Sequence, residues 1–202
     1  TITTGEGDDT VTVGVYKDVI TTKDGDDTVT SGAGDDNITT GRGEDTITAG
    51  DGDVTIDSGI GNDTVVVGDG DNTIDLGSGN DTLATGDGDN TITLDSGDDT
   101  VTTGSGDDTV IMADYDDDDV IDLGTGTDAL IASALATTGA YAVAANFVDV
   151  SGDTAAQLSN IDAVYLQHTT VATNDSAATK ETLDFSSSAG LGALYLDIVD
   201  AE

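Results

Sequence analysis

The sequence predicts an all-β protein: a flattened solenoid of short parallel strands, with two nine-residue units closing each coil. Three observations carry that expectation. One nine-residue phrase recurs twelve times from Thr4 to Ile111 without a slip of register, reading T-G-S-G-D-D-T-V-I in its last copy, Thr103 to Ile111. Gly holds the second position in ten copies and the fourth in eleven, Tyr16 being the exception at the fourth. The eighth position is aliphatic in all twelve: Val11, Ile20, Val29, Ile38, Ile47, Ile56, Val65, Ile74, Leu83, Ile92, Val101 and Val110. Self-similarity at a fixed short period specifies a stacked array rather than one globular core.

Each copy divides into a half that must turn and a half that must extend. Gly takes positive φ freely and Asp favours tight turns, so the first half bends. The T-V-T-like second half is β-branched, with one inward residue flanked by Thr, which suits a very short strand. Two turns and two strands close an 18-residue coil. Stacked coils then pair as parallel strands about 4.8 Å apart around an aliphatic ladder.

Composition excludes several classes. Four Lys plus Arg stand against 42 Asp plus Glu, a formal charge of -38, and aromatics make up 3%. Such a balance alone resembles a disordered acidic tail, but a disordered tail has no need of an aliphatic residue in perfect phase. The charge repels phosphate, so nucleic acid is not an expected partner. There is no Cys, hence neither a disulfide frame nor a thiolate metal site. No apolar run reaches membrane-spanning length, so membrane insertion is not expected, and no signal peptide is visible. Thr1-Ile2-Thr3 occupies the seventh to ninth positions of the same phrase with no initiator Met, so the chain is expected to be a piece of a longer protein.

The sixth position is Asp in nine copies, and stacking sets the carboxylates of alternate copies one above another. At about 5 Å and an effective dielectric near 20, each such pair repels by roughly 3 kcal/mol. Three of the four basic residues (Lys17, Lys23 and Arg42) lie in the first five copies, so later turns have no protein cation nearby. Carboxylates plus turn carbonyls form an all-oxygen site. Calcium accepts six to eight oxygens in loose geometry where magnesium demands a tight octahedron, so Ca2+, as multiple ions, is the expected cofactor.

The phrase Gly32-Ala33-Gly34-Asp35-Asp36-Asn37-Ile38 resembles the RTX nonapeptide repeat, consensus G-G-x-G-x-D-x-U-x, over about the first two-thirds of the chain. The resemblance implies a right-handed parallel β-roll, followed by a β-rich cap or solenoid continuation. It also implies that sixth-position side chains and turn carbonyls ligate calcium between alternate copies. That role falls on Asp9, Asp27, Asp45, Asp63, Asp81 and Asp99 in the odd-numbered copies, and on Asp18, Asp36 and Asp108 in the even ones, with Asn72 and Asn90 as amide ligands. The implied carbonyls are those of Gly5, Gly7, Gly25, Gly32, Gly34, Gly41, Gly43, Gly50, Gly52, Gly59, Gly61, Gly68, Gly70, Gly77, Gly79, Gly86, Gly88, Gly97, Gly104 and Gly106. The family's first Gly is replaced throughout by Thr, Ser, Val, Ala or Leu, which suggests variant turns.

The two edges of the coil differ. The odd row keeps Asp at the sixth position in every copy, whereas the even row carries Val54, Asn72 and Asn90 there, with Asp51, Asp53, Asp69, Asp71, Asp87 and Asp89 at the third and fifth positions. The even edge is therefore expected to bind calcium more weakly around copies six to ten, or mainly through carbonyls. Simple drift in a redundant array is the alternative. Copy two (Val13 to Thr21), with Tyr16 and Lys17 in its turn, is expected to form a bulged or ion-poor turn.

After Ile111 the frame slips by two residues and resumes, placing Asp119 and Asp128 at the sixth position and Ile121 and Leu130 inside. The acidic run from Asp116 to Asp119 reads as a solvated loop rather than a specific ion site. A β-roll over 1–131 and a β-rich capping or continuation segment over 132–202 are the expected domains. Phe147 to Val150, Asp162 to Leu166 and Ala193 to Ile198 alternate as strands do. Leu158 to Leu166 after Gly126 to Ile131 looks like the segments that follow such repeats in bacterial surface-layer proteins, and Asp197-Ile198-Val199 is a weaker match to the tail of type I secretion substrates.

Catalysis is not expected. The sole His, His168, cannot form a zinc site alone, and no H-E-x-x-H occurs. The recurrent G-x-G lacks the third Gly and following helix of a nucleotide site, and no Glu closes an EF-hand loop. Two readings remain. One is a structural calcium-binding module of a large secreted bacterial surface protein, of surface-layer or adhesin type, extracellular and able to self-associate into a lattice or filament. The other is a folding and export module of a type I-secreted enzyme or toxin.

Overall fold

The computed structural model describes residues 1–112, 119–134, 158–159, 163–168 and 193–198. Among them every strand pairing is parallel and no helix occurs. One sheet of ten strands runs β1 (Ile2–Thr3), β3 (Val19–Asp24), β5 (Asn37–Arg42), β7 (Thr55–Ile60), β9 (Thr73–Asp75), β11 (Thr91–Leu94), β13 (Thr109–Met112), β15 (Ala129–Ala134), β17 (Ala163–His168) and β18 (Ala193–Ile198). The facing sheet of eight runs β2 (Thr10–Thr12), β4 (Thr28–Gly32), β6 (Thr46–Ala49), β8 (Thr64–Val67), β10 (Thr82–Ala84), β12 (Thr100–Thr102), β14 (Val120–Asp122) and β16 (Leu158–Ser159). Through β17 odd strands pair with odd and even with even, and β18 adds to the larger sheet beside β17. That is the topology of a parallel β-roll in which successive nonapeptides alternate between the two sheets.

Register follows the period. Ile20 lies beside Ile38, Ile38 beside Ile56, and Ile56 beside Ile74, each eighteen residues on. Past Ile111 the offset becomes twenty, with Val101 beside Ile121 and Val110 beside Leu130. The expected two-residue slip is thus absorbed between coils without disturbing either ladder, and Ile121 and Leu130 are buried. Of the acidic run, residues 116–118 lie outside the described residues, as do 147–150. β17 and β18 extend the larger sheet beyond Ile131 in the same parallel sense.

The eighth-position ladder forms the core as expected, from Val11 at 6% exposure to Val110 at 0%. A second inward column was not anticipated. First-position residues stand two places beyond the eighth, and alternate residues of a strand share a face, so both point inward. Thr22, Ser31, Thr40, Ala49, Ser58, Val67 and Leu94 are buried strand residues. The replacement of the family's first Gly is therefore not the mark of a variant turn: it supplies core.

In the larger sheet this second column changes character along the axis, from Thr4, Thr22, Thr40 and Ser58 to Leu76, Leu94 and Met112. The hydroxyls of its polar half bond the next coil. Thr4 Oγ1 donates to Thr22 O at 3.0 Å, Thr40 Oγ1 to Ser58 O at 2.7 Å and Ser58 Oγ to Leu76 O at 2.8 Å. Thr22 Oγ1 is buried without a partner. Because an unsatisfied buried hydroxyl costs free energy and Val has nearly the same shape, Thr22→Val is expected to stabilise the folded chain by about 1 kcal/mol in urea melts. A loss of stability would show that the hydroxyl is satisfied in solution.

Copy two holds the most exposed large apolar side chains, Tyr16 at 79% and Val15 at 67%. The backbone after its turn remains in the stack, with Asn37 N–H donating to Asp18 O at 2.9 Å. A register irregularity lies in the β4–β6 pair, where Thr30 and Gly32 face Thr48 and Ala49.

Candidate metal centre

Each turn delivers its sixth-position side chain into the space between coils, where a repeated contact holds it. The backbone N–H of one coil donates to Oδ1 of the sixth-position residue on the next. On the odd edge these bonds run from Asp9 N to Asp27, Asp27 to Asp45, Asp45 to Asp63, Asp63 to Asp81 and Asp81 to Asp99, at 2.7–2.8 Å. Asp99 N–H continues the row to Asp119 Oδ1 at 2.8 Å across the two-residue slip. On the even edge Asp18 N–H reaches Asp36 Oδ1 at 2.7 Å and Asp108 N–H reaches Asp128 Oδ1 at 2.9 Å. The structure thus aligns all eleven sequence-predicted Asp residues in two rows, one per edge.

At Asp27, Asp36, Asp45, Asp63, Asp81 and Asp108 the N–H bond satisfies one carboxylate oxygen and leaves the other without a partner. Oδ2 of Asp9, Asp27, Asp36, Asp45, Asp63, Asp81 and Asp108 is buried with no hydrogen-bond partner. Asp27, Asp45, Asp63 and Asp81 are each only 1% exposed. The acidity of Asp45, Asp63 and Asp81 reflects this. Burial pushes Asp81 up to about 7 and Asp63 up to about 6, the carboxylate of the preceding coil adds to the shift, and the N–H bond opposes it. Asp45 is raised for the same reasons, burial first. A buried ionised carboxylate that is half-satisfied and stacked on its own kind is unfavourable unless a counter-charge meets it.

The residues fit a hard cation. Among the described residues no three Asp, Glu, His or Cys side chains converge as a cluster, so backbone oxygens must complete any coordination shell. Fourth-position carbonyls lie in the right place. A Cβ added to Gly43, Gly61 or Gly79 would run into the carbonyl of Gly25, Gly43 or Gly61, the same turn one coil back. Carboxylate and carbonyl oxygens therefore share each interlayer space, the donor set that suits calcium. A bound ion supplies positive charge to the orphaned Oδ2 atoms; the chain supplies the oxygens, their spacing and the exclusion of water.

A second, exposed ladder runs the opposite way. The fifth-position carboxylate of one coil accepts the N–H of the next: Asp26 Oδ1 from Glu44 at 2.9 Å, Asp53 from Asp71 at 3.0 Å, Asp71 from Asp89 at 2.9 Å and Asp89 from Asp107 at 2.8 Å. Third-position Asp69 and Asp87 do likewise toward Asp87 and Ser105. The Ser105 amide holds the Asp87 carboxyl below the usual carboxylate range. These residues satisfy turn amides from the solvent side. Their spacing was visible in the sequence, but nothing there distinguished a capping acid from a ligand.

Residues 13–47, 39–74 and 75–110 match the family model described as RTX calcium-binding nonapeptide repeat (4 copies). Residues 13–110 are RTX calcium-binding repeats. Described residues on either side continue the RTX geometry: Asp9 and Asp128 stand in the same two rows, and Val11 and Leu130 in the same core. No curated protein and no solved structure matches the chain.

Proposed function

We propose that this chain is a calcium-dependent structural module of a large secreted bacterial surface protein, of surface-layer or adhesin type, working outside the cell. Its function is mechanical: calcium between coils converts mutually repelling acidic turns into a rigid rod. The observation that carries this reading is the run of buried carboxylates at Asp27, Asp45, Asp63 and Asp81, each with Oδ1 bonded to the preceding coil and Oδ2 left for a cation. The ligands are the sixth-position Asp residues, Asp9 to Asp128, with fourth-position carbonyls such as Gly25, Gly43 and Gly61. The roll over 1–131 carries the ions, and the segment over 132–202 continues or caps the stack.

In this reading calcium binding and folding are one event, because the oxygens of a site come from two coils that only stacking brings together. Far-UV circular dichroism of calcium-stripped protein at neutral pH is expected to show an unfolded chain, with the β signal appearing at millimolar calcium. Magnesium is expected to substitute poorly. A β-roll spectrum that chelator leaves unchanged at neutral pH would overturn the proposal.

A further inference from the structure

The even edge is built differently where its carboxylates are missing. Asn72 and Asn90 are each 1% exposed and stand in the carboxylate row. Asn72 Oδ1 accepts the Val54 N–H at 3.1 Å, and Asn90 Oδ1 accepts the Asn72 N–H at 3.2 Å. A backbone N–H only donates, so the amide oxygen must face it and the NH2 group must turn the other way. That NH2 lies where the carboxylate row leaves Oδ2 unpartnered. Asn72 Nδ2 donates to Gly70 O at 2.9 Å and to Asn90 Oδ1 at 2.8 Å. Asn90 Nδ2 donates to Gly88 O at 2.9 Å and to Asp108 Oδ1 at 2.8 Å.

These acceptors are a fourth-position carbonyl and the sixth-position side-chain oxygen of the next coil, the two oxygen types a cation gathers on the odd edge. One neutral amide bridges both. One coil earlier Val54 fills the position with methyl groups, is 1% exposed and belongs to the core. From Val54 to Asn90 this edge thus buries no sixth-position carboxylate, and the Gly70 and Gly88 carbonyls are already engaged by hydrogen.

We propose that the even edge between residues 54 and 90 is a metal-free seam, in which the Asn72 and Asn90 side-chain amides replace the bridging cation. The RTX rod is then asymmetric: calcium locks the odd edge along its length and the even edge only near its ends, at Asp18–Asp36 and Asp108–Asp128. This assigns Asn72 and Asn90 a bridging role in place of the ligand role their position suggests. It rests on the reading that the Asp-bearing turns take calcium.

The test is ion stoichiometry by native mass spectrometry of the full chain in calcium. Asn72→Asp with Asn90→Asp is expected to bind about one additional ion per restored carboxylate layer. The reciprocal pair on the odd edge, Asp63→Asn with Asp81→Asn, is expected to lose ions while keeping its β spectrum, because the introduced amides can bridge as Asn72 and Asn90 do. In the calcium-loaded wild type, anomalous scattering is expected to show ions beside Asp63 and Asp81 and none between Gly70 and Asn90. An ion in that even-edge interval, or an unchanged ion count in a folded N72D/N90D chain, would overturn the seam. A wild type that binds no calcium at all would instead overturn the underlying calcium reading.

Discussion

Gly61→Val is expected to break the stack at its middle. Gly61 has φ +148, and a Cβ there would overlap the carbonyl of Gly43 on the neighbouring coil. Neither backbone can retreat cheaply. Gly43 N–H donates to Ile60 O and Gly61 N–H to Ser78 O, both at 2.9 Å, so three coils are tied together at this turn. Side chains rarely adopt such a φ, and local strain of that kind costs about 1–3 kcal/mol before the overlap is counted. The overlap also separates the oxygens that meet between coils, so calcium affinity and packing fail together. A total loss of roughly 3 kcal/mol or more places the variant among the most damaging single substitutions. It should appear as a much higher calcium midpoint in a circular dichroism titration, or as loss of a single cooperative transition. Gly5→Ala is the control: an added Cβ meets nothing within 4 Å, and its φ is not positive. Equal behaviour of the two variants would mean that close stacking at the fourth position does not hold the roll together.

Acid is expected to do part of the work of calcium. In the metal-free fold burial raises Asp81 to about 7 and Asp63 to about 6, and raises Asp45 as well, from an ordinary 3.8. A folded-state value above the unfolded one means that the folded chain binds more protons between the two. Stability from these groups is therefore fully present below about 3.8 and is lost as pH rises through 6 and 7. Calcium-stripped protein, unfolded at about pH 8, is expected to gain β structure as pH falls toward about 5, helped by relief of the -38 charge. With calcium present the dependence reverses in sign, since protons compete with the ion for the same carboxylates. Circular dichroism against pH, with and without calcium, separates the two cases. A stripped chain that is equally unfolded across that range would contradict burial of the odd-edge row.

Much of this architecture was legible because each nonapeptide repeats one set of contacts. A phase error would turn Ile20 or Ile74 outward, so the invariant eighth position reported both the strand and its inward face. The Asp rows were legible for the same reason, down to the two-residue slip that still sets Asp119 and Asp128 in line. The first position was misread because its residues range from Thr22 to Leu94. That variety resembles a tolerant turn until the strands are seen to run two residues further and bury both kinds.

Recurrence along the chain was enough to set the period, the pairing of every second copy, the aliphatic ladder and the acids able to meet a cation. In a solenoid each unit touches only its neighbours, so these features follow from what recurs nine and eighteen residues along. It took the stacked coils to show which carboxylate oxygen is left without a partner, which acids cap amides from the solvent side, and what Asn72 and Asn90 do with their NH2 groups. Those outcomes depend on how closely one coil lies on the next and on which way its N–H groups point, and neither quantity is written in a single repeat.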